Sequence, residues 1–242
     1  MNEDRRFPRV QTEIMERAWQ RADRKVAATL IRTAQDYAQG DASHRSVVWL
    51  RHLIDQIDDF VALMALADQL PEHTLALREL AALANGRIKD VLTELAASEP
   101  DFLPLLATAR NNLTTRLSDL GRRELALAAA EQAAALYREL AAQRPDVFRS
   151  NLAVALAVKG NCLDALGRAA DALAANVEAI ATLSPVFVEQ PAAFGHWMAP
   201  MVRQYLERCE RLGREPDMER LGPAVAILQD EQVPTEESQD EH

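Results

Sequence analysis

The feature that most restricts what this chain can fold into is a triplet that returns at one fixed step. Leu-Gly-Arg occurs at residues 120–122, 166–168 and 212–214, each time 46 residues after the last. Phe102, Phe148 and Phe194 keep the same step, as do Pro145 and Pro191, with Pro100 one residue out of register. A period of this size means stacked supersecondary units, because one such unit cannot bury both of its faces alone.

Within a unit, Leu106, Leu113, Leu117 and Leu120 fall on one face of a helix entered through Pro100-Asp101, a proline and an acid suited to a first helical turn. After Gly121 a second helix carries Ala126, Ala130, Ala133, Tyr137 and Leu140 in one stripe. It stops before Pro145, since the residue preceding a proline is driven out of the helical region. Each unit therefore reads as a helical hairpin with a glycine turn, and the small alanines let its two backbones approach closely. Composition agrees: aromatic residues make up only 5% and glycines number only 8, while alanine and leucine crowd nearly every segment and favour helix. The fold expected is all-α, an α-solenoid of stacked antiparallel helical hairpins over residues 100–228, behind an N-terminal helical segment over residues 1–99.

In that N-terminal segment, helices are expected from Val10 to Gln39 and from His44 to Leu70, separated by a Gly-Asp-Ala-Ser turn with capping residues. Pro71 opens a third, with a break expected near Asn85-Gly86. Glu94 to Phe102 ("ELAASEPDF") echoes Glu139 to Phe148 ("ELAAQRPDVF"), so the segment ending at Glu99 reads either as the second helix of a degenerate repeat or as an unrelated helical cap. Trp19, Trp49, Phe60 and Met64 are the expected core of this region.

The hairpin pattern resembles the tetratricopeptide repeat family, in the long-helix form common in bacterial multi-repeat proteins. The second unit fits best, with Gly160 at the small position, Leu163 a turn later, Gly167 at the turn, and Ala172 and Ala179 at the packing positions. In the first unit Gly121, Ala126 and Ala133 match, while Thr114 replaces the small glycine. The third departs most: Met218 takes the alanine position and Pro223 interrupts the second helix, which suits a capping unit. The step also exceeds the family's usual period of about 34 residues, so the helices must be longer. The resemblance implies a concave face lined by the first helices and a role in holding another protein or a peptide, as an adaptor or regulatory subunit.

Charge narrows the partners. The formal net charge is −10, but the tail over residues 229–242 holds six acids and no Lys or Arg, which leaves 27 basic against 31 acidic residues elsewhere, a balance of −4. The body has no basic stripe of the kind that nucleic-acid binding demands, and the tail reads as a disordered solubility segment. Lysine occurs only at Lys25, Lys89 and Lys159; the arginine bias with the alanine load suggests a GC-rich bacterial genome. The N-terminus carries charge where a signal peptide needs an apolar core, and nowhere do 18 apolar residues run together. A cytoplasmic location without a membrane partner is expected, and Cys162 and Cys209, inside helical stretches, fit a reducing compartment.

No catalytic signature emerges, and no enzyme, metal or cofactor is expected. His52, Asp55 and Asp59 lie within helical reach of one another, but the same spacing describes a solvated acidic face beside Leu53, Ile57 and Phe60. Arg45 and His52 fit the Arg-x(4–6)-His spacing of the HEPN ribonucleases, a helical-enzyme alternative. With five histidines and arginine abundant throughout, roughly one such pair arises by chance.

The surface that remains is the inner face of the first helices. The 46-residue register places Asn111, Ala157 and Arg203 in one row, Thr115, Asn161 and Glu207 in the next, and Ser118, Asp164 and Glu210 in a third. Asparagine can meet a peptide backbone with both donor and acceptor, and Asp164, Glu207 and Glu210 tilt the far end toward a basic ligand. The lysine-rich carboxylate clamp of chaperone-binding relatives is missing, since no lysine occupies these rows. A self-associating protein, dimeric through the apolar C-terminal stretch Pro223 to Leu228, is the remaining alternative.

Overall fold

The structure, a computed structural model, describes residues 31–33, 36, 41, 43–70 and 75–230. Nine α-helices are assigned among them: α1 (Arg45–Gln56), α2 (Phe60–Ala67), α3 (Leu75–Ser98), α4 (Leu103–Asp119), α5 (Arg123–Gln143), α6 (Pro145–Ala165), α7 (Ala169–Glu189), α8 (Pro191–Leu212) and α9 (Met218–Asp230), with a 3-10 turn at Pro100–Phe102 before α4. The described residues contain no strand, so the chain is all-α as expected. Residues 31–33 and 36 are helical. The rest of the helix expected over Val10–Gln39, with Trp19, and the tail beyond Asp230 lie outside the described residues.

Two compact units divide the chain, Met1–Arg122 and Arg123–His242. The division expected at Pro100 therefore falls inside the first, where α4 packs on α3. In the second unit α5, α6, α7, α8 and α9 each pack on the next, and α9 also reaches back to α7. Short connections between long helices make successive neighbours antiparallel, which is the hairpin stacking of a solenoid.

The recurring triplet has a local cause. Gly121, Gly167 and Gly213 all hold positive φ, at 69°, 75° and 61°. In each case the arginine N–H bonds back to the carbonyl five residues before it, Arg122 to Leu117, Arg168 to Leu163 and Arg214 to Cys209, all at 2.9 Å. The glycine N–H meanwhile bonds three residues back, to Ser118, Asp164 and Glu210. This is the paired closure that ends a helix through a left-handed residue, and only glycine adopts it without strain.

The alanine stripe behaves as expected: Ala126, Ala130, Ala133, Tyr137 and Leu140 are buried on α5, and Ala172 and Ala179 are buried on α7. The helices begin at Pro145 and Pro191, with Arg144 and Gln190 before them in non-helical backbone. Alone among the described helices, α7 is long and apolar enough to cross a membrane, yet α6, α8 and α9 pack against it.

Three expectations of where helices break fail. The single helix expected over His44–Leu70 is broken at Ile57–Asp59. There Asp59 Oδ1 accepts from the Val61 N–H at 2.9 Å to start α2, and Arg87 on α3 holds the break by donating to Ile57 O at 3.3 Å and Asp58 Oδ1 at 2.9 Å. The break expected near Asn85-Gly86 does not occur; α3 runs through it, and Asn85 donates its amide to Ala81 O at 2.8 Å along the same helix. Nor does Pro223 interrupt α9, whose backbone stays helical from Met218 to Asp230. In the first unit's core Trp49 and Phe60 are only half-buried, and Phe60 meets Phe102 edge to face at 5.9 Å. Met64, expected in the core, is 39% exposed.

Candidate functional site

In the second unit the polar rows of α6 and α8 are organised from beneath by a residue outside them. Arg208 on α8 is only 3% exposed. Its Nη1 donates to Asn176 Oδ1 at 2.9 Å, its Nη2 to Asn161 Oδ1 at 2.7 Å, and its Nε lies 3.4 Å from Asp164 Oδ2. Asn176, buried on α7, turns its own amide to Met201 O at 3.1 Å. Arg211 reaches the other oxygen of Asp164. Burying a guanidinium is costly unless its donors are met and its charge is opposed, and here three side chains from two neighbouring helices do both. Gly160 lies beside this network: a Cβ there would stand a tight 3.3 Å from the backbone Ala172 O and at ordinary contact distance, 3.7 Å, from Arg208 Nη1, so the small residue makes room for the α7 backbone.

The predicted site residues divide accordingly. Asn161 and Asp164 are brought together, but as partners of Arg208, and the carboxylate of Asp164 faces two guanidinium groups. Its charge is thus opposed within the protein by Arg208 and Arg211. Arg203, Glu207 and Glu210 sit at the i, i+4 and i+7 positions of α8, exposed, with no hydrogen bond or ion pair to another described residue. Ala157, placed in a row with Asn111 and Arg203, is buried on the packing side of α6. In the first unit Ser118 and Thr115 are exposed on α4, while Asn111 is half-buried with its Oδ1 sealed and unpartnered.

Thr115 does line a cleft of about 210 Å³ between α2, α3 and α4. Its walls are Met64, Ile88, Leu92, Leu105 and Ala109, with Asn112 and Arg116 beside Thr115 and Asp68 across α2. Asn85 lines it too, only 6% exposed. Its Nδ2 donates one hydrogen to Ala81 O, and its Oδ1 has no hydrogen-bond partner among the described residues. A second cleft, of about 280 Å³, lies between α7, α8 and the approach to α9, walled by Val177, Ile180, Ala181 and Leu221. Its polar atoms are met within the protein: Ser184 Oγ donates to Ile180 O at 2.7 Å, and Tyr205 Oη accepts from the Asp217 N–H at 2.9 Å. Burial pushes the Tyr205 hydroxyl above its ordinary range.

Arg45 and His52 are both exposed on α1, two turns apart, and neither lines these clefts. Asp59 serves as the cap of α2 and so leaves the helix that carries His52 and Asp55. Among the described residues no three His, Cys, Asp or Glu side chains gather into a metal-binding group. In the stretch Pro223 to Leu228, Ala224 is buried and Ile227 and Leu228 are half-buried.

No family model matches the chain, and none of the curated proteins compared with it matches at a significant level.

Sequence reading missed Arg208 as the centre of the α6–α8 face, although a signal was present. Asn176 sits in the stripe of Ala172 and Ala179, an amide in a row of small packing residues, opposite a glycine at Gly160. A buried amide of that kind needs a partner, and room had been left for a long one.

Proposed function

We propose that this protein is a tetratricopeptide-like adaptor or regulatory subunit that holds another protein or a peptide on the outward faces of its first helices. It acts without catalysis and without a cofactor or metal, in the bacterial cytoplasm, and it binds neither nucleic acid nor membrane. The observation that carries this reading is the α6–α8 pairing. A buried Arg208 fixes the two helices from below while Arg203, Glu207 and Glu210 stand outward with no partner among the described residues. A surface held in this way incurs little ordering cost on association, and charges left unpaired on it are free to select a ligand. With Asp164 neutralised, the selecting charges are Glu207 and Glu210 set against Arg203.

The test is affinity capture from a lysate of the native organism, comparing wild type with Arg203→Glu/Glu207→Arg/Glu210→Arg. These side chains are exposed and make no hydrogen bond or ion pair with a described residue, so the variant should match wild type in helicity and melting temperature. Loss of a specifically retained protein from the variant supports the reading. If the two retain the same proteins, or none, the α8 face is not the binding surface.

A further inference from the structure

We propose that the protein held on the outward face of α8 is a second copy of this chain, laid antiparallel so that the two α8 helices pair about a two-fold axis at Leu206. The proposal rests on the binding reading above and names the occupant of that face. Its first support is the register. The 46-residue step maps Ala157, Gly160 and Asp164 of α6 onto Arg203, Leu206 and Glu210 of α8. On α6 this row is covered by a helix: Ala157 and Gly160 are buried, and a Cβ at Gly160 would stand 3.3 Å from Ala172 O and 3.6 Å from Ala175 Cβ of α7. On α8 the row is open, with Leu206 38% exposed between exposed Arg203 and Glu210. The helix that follows leaves it so. Leu221 of α9 is buried beside Ile180 and Tyr205, while Met218, one step after the buried Ala172, is 51% exposed. A face that a helix covers in one hairpin is thus left uncovered in the next.

The second support is charge. Arg203, Leu206, Glu207 and Glu210 form one stripe at i, i+3, i+4 and i+7, and its charged members have no ion pair with a described residue. Arg203 lies three residues before Leu206 and Glu210 four after it. Reversing the helix about Leu206 therefore carries the cation onto the anion to within one residue. An isologous pair makes the same bond twice, Arg203 of each copy to Glu210 of the other, around a contact between the two Leu206 side chains. Any other protein must bring an acid, an apolar residue and a base at this spacing; a second copy brings them by symmetry. A single helix pair is smaller than a standard interface, and the dissociation constant should be on the order of 10 µM.

The test is sedimentation equilibrium of the purified full chain over a concentration series at low ionic strength. Wild type should move from the mass of one chain to that of two. Arg203→Glu sets like charges at both contacts, and Glu210→Arg does the same with the opposite sign, so each alone should weaken the dimer about tenfold or more. Mixed in equal amounts, these two variants restore both bonds and should pair with each other about as tightly as wild type with itself. Glu207→Gln removes an acid beside the axis that the pair does not use, and should tighten it; a weakening would place Glu207 in the bond and overturn the assignment. Wild type that stays at one-chain mass about twentyfold above the expected constant, single variants that dimerise like wild type, or a mixture that fails to pair overturns the second copy. A pure chain that stays monomeric while charge reversal still costs it a protein from the lysate would leave the binding reading standing, so the two fail separately.

Discussion

Two asparagines lie at almost the same depth in the two units and have opposite fates. Asn176 is fully buried, and both ends of its amide are met, the oxygen by Arg208 and the nitrogen by Met201 O. Asn85 is 6% exposed, and only its nitrogen is met, by its own helix. The first is part of the scaffold; the second leaves an acceptor on a cleft wall. Where a protein must bury a polar atom for its fold, it closes the account of hydrogen bonds, and where it leaves one open beside a cavity, an outside group can close it. The comparison separates two surfaces that the 46-residue register had merged into one groove.

The largest effect should come from removing the closed side. Arg208→Ala strips the donors from Asn176 and Asn161 at once and opens a void beside Gly160, and should cost about 3 kcal/mol in chemical denaturation. Asn176→Leu leaves the guanidinium buried with one donor unmet and Met201 O without its partner, and should cost about 2 kcal/mol. Because the two residues share one network, the double variant should lose clearly less than the sum of the singles. Strict additivity would mean that the 2.9 Å hydrogen bond between Arg208 and Asn176 carries no coupling, and the comparison would collapse.

A smaller effect tests the space rather than the bonds. Gly160→Ala gains helix propensity, worth up to about 1 kcal/mol, but its Cβ meets a backbone oxygen at 3.3 Å. A backbone oxygen in a packed helix yields little, so the net change should be a loss of about 1 kcal/mol in the denaturation midpoint. In an Arg208→Ala background the same substitution should cost about as much, because the guanidinium stands at ordinary contact distance, 3.7 Å, and the tight neighbour is the Ala172 carbonyl. A cost that disappears in that background would show that the glycine accommodates Arg208 after all.

How far the sequence could be read follows the same division. The three glycine turns, the alanine stripes of α5 and α7 and the proline entries of α6 and α8 were legible because each is set by residues within a few positions of one another. The break at Ile57–Asp59 was not, since Arg87 closes it from about thirty residues away. Register arithmetic put Arg203, Glu207 and Glu210 in three successive rows, and all three are exposed on α8. That Asn161 and Asp164 serve as partners of Arg208 was hidden, because the arginine they meet lies more than forty positions later. The cleft at Asn85 was invisible for the opposite reason: Asn-Gly read as a helix break, when the amide was bonded back along its own helix and the helix simply continued.

The smallest effect is the one that decides between the two asparagines. Asn85→Leu removes an amide whose only protein bond is to Ala81 O, a carbonyl that already accepts within the helix, and replaces it with a side chain of similar size against Ile88 and Leu92. The lost bond is worth about 1 kcal/mol, and the added apolar contact returns a similar amount, so the denaturation midpoint should shift by no more than about 0.5 kcal/mol in either direction. The same substitution at Asn176 is expected to cost several times as much. A loss at Asn85 as large as the one at Asn176 would mean that its oxygen is already satisfied in solution, and the cleft would then have nothing to offer a donor. A near-neutral result leaves that acceptor available, its cost already borne by the fold and recoverable only when something binds.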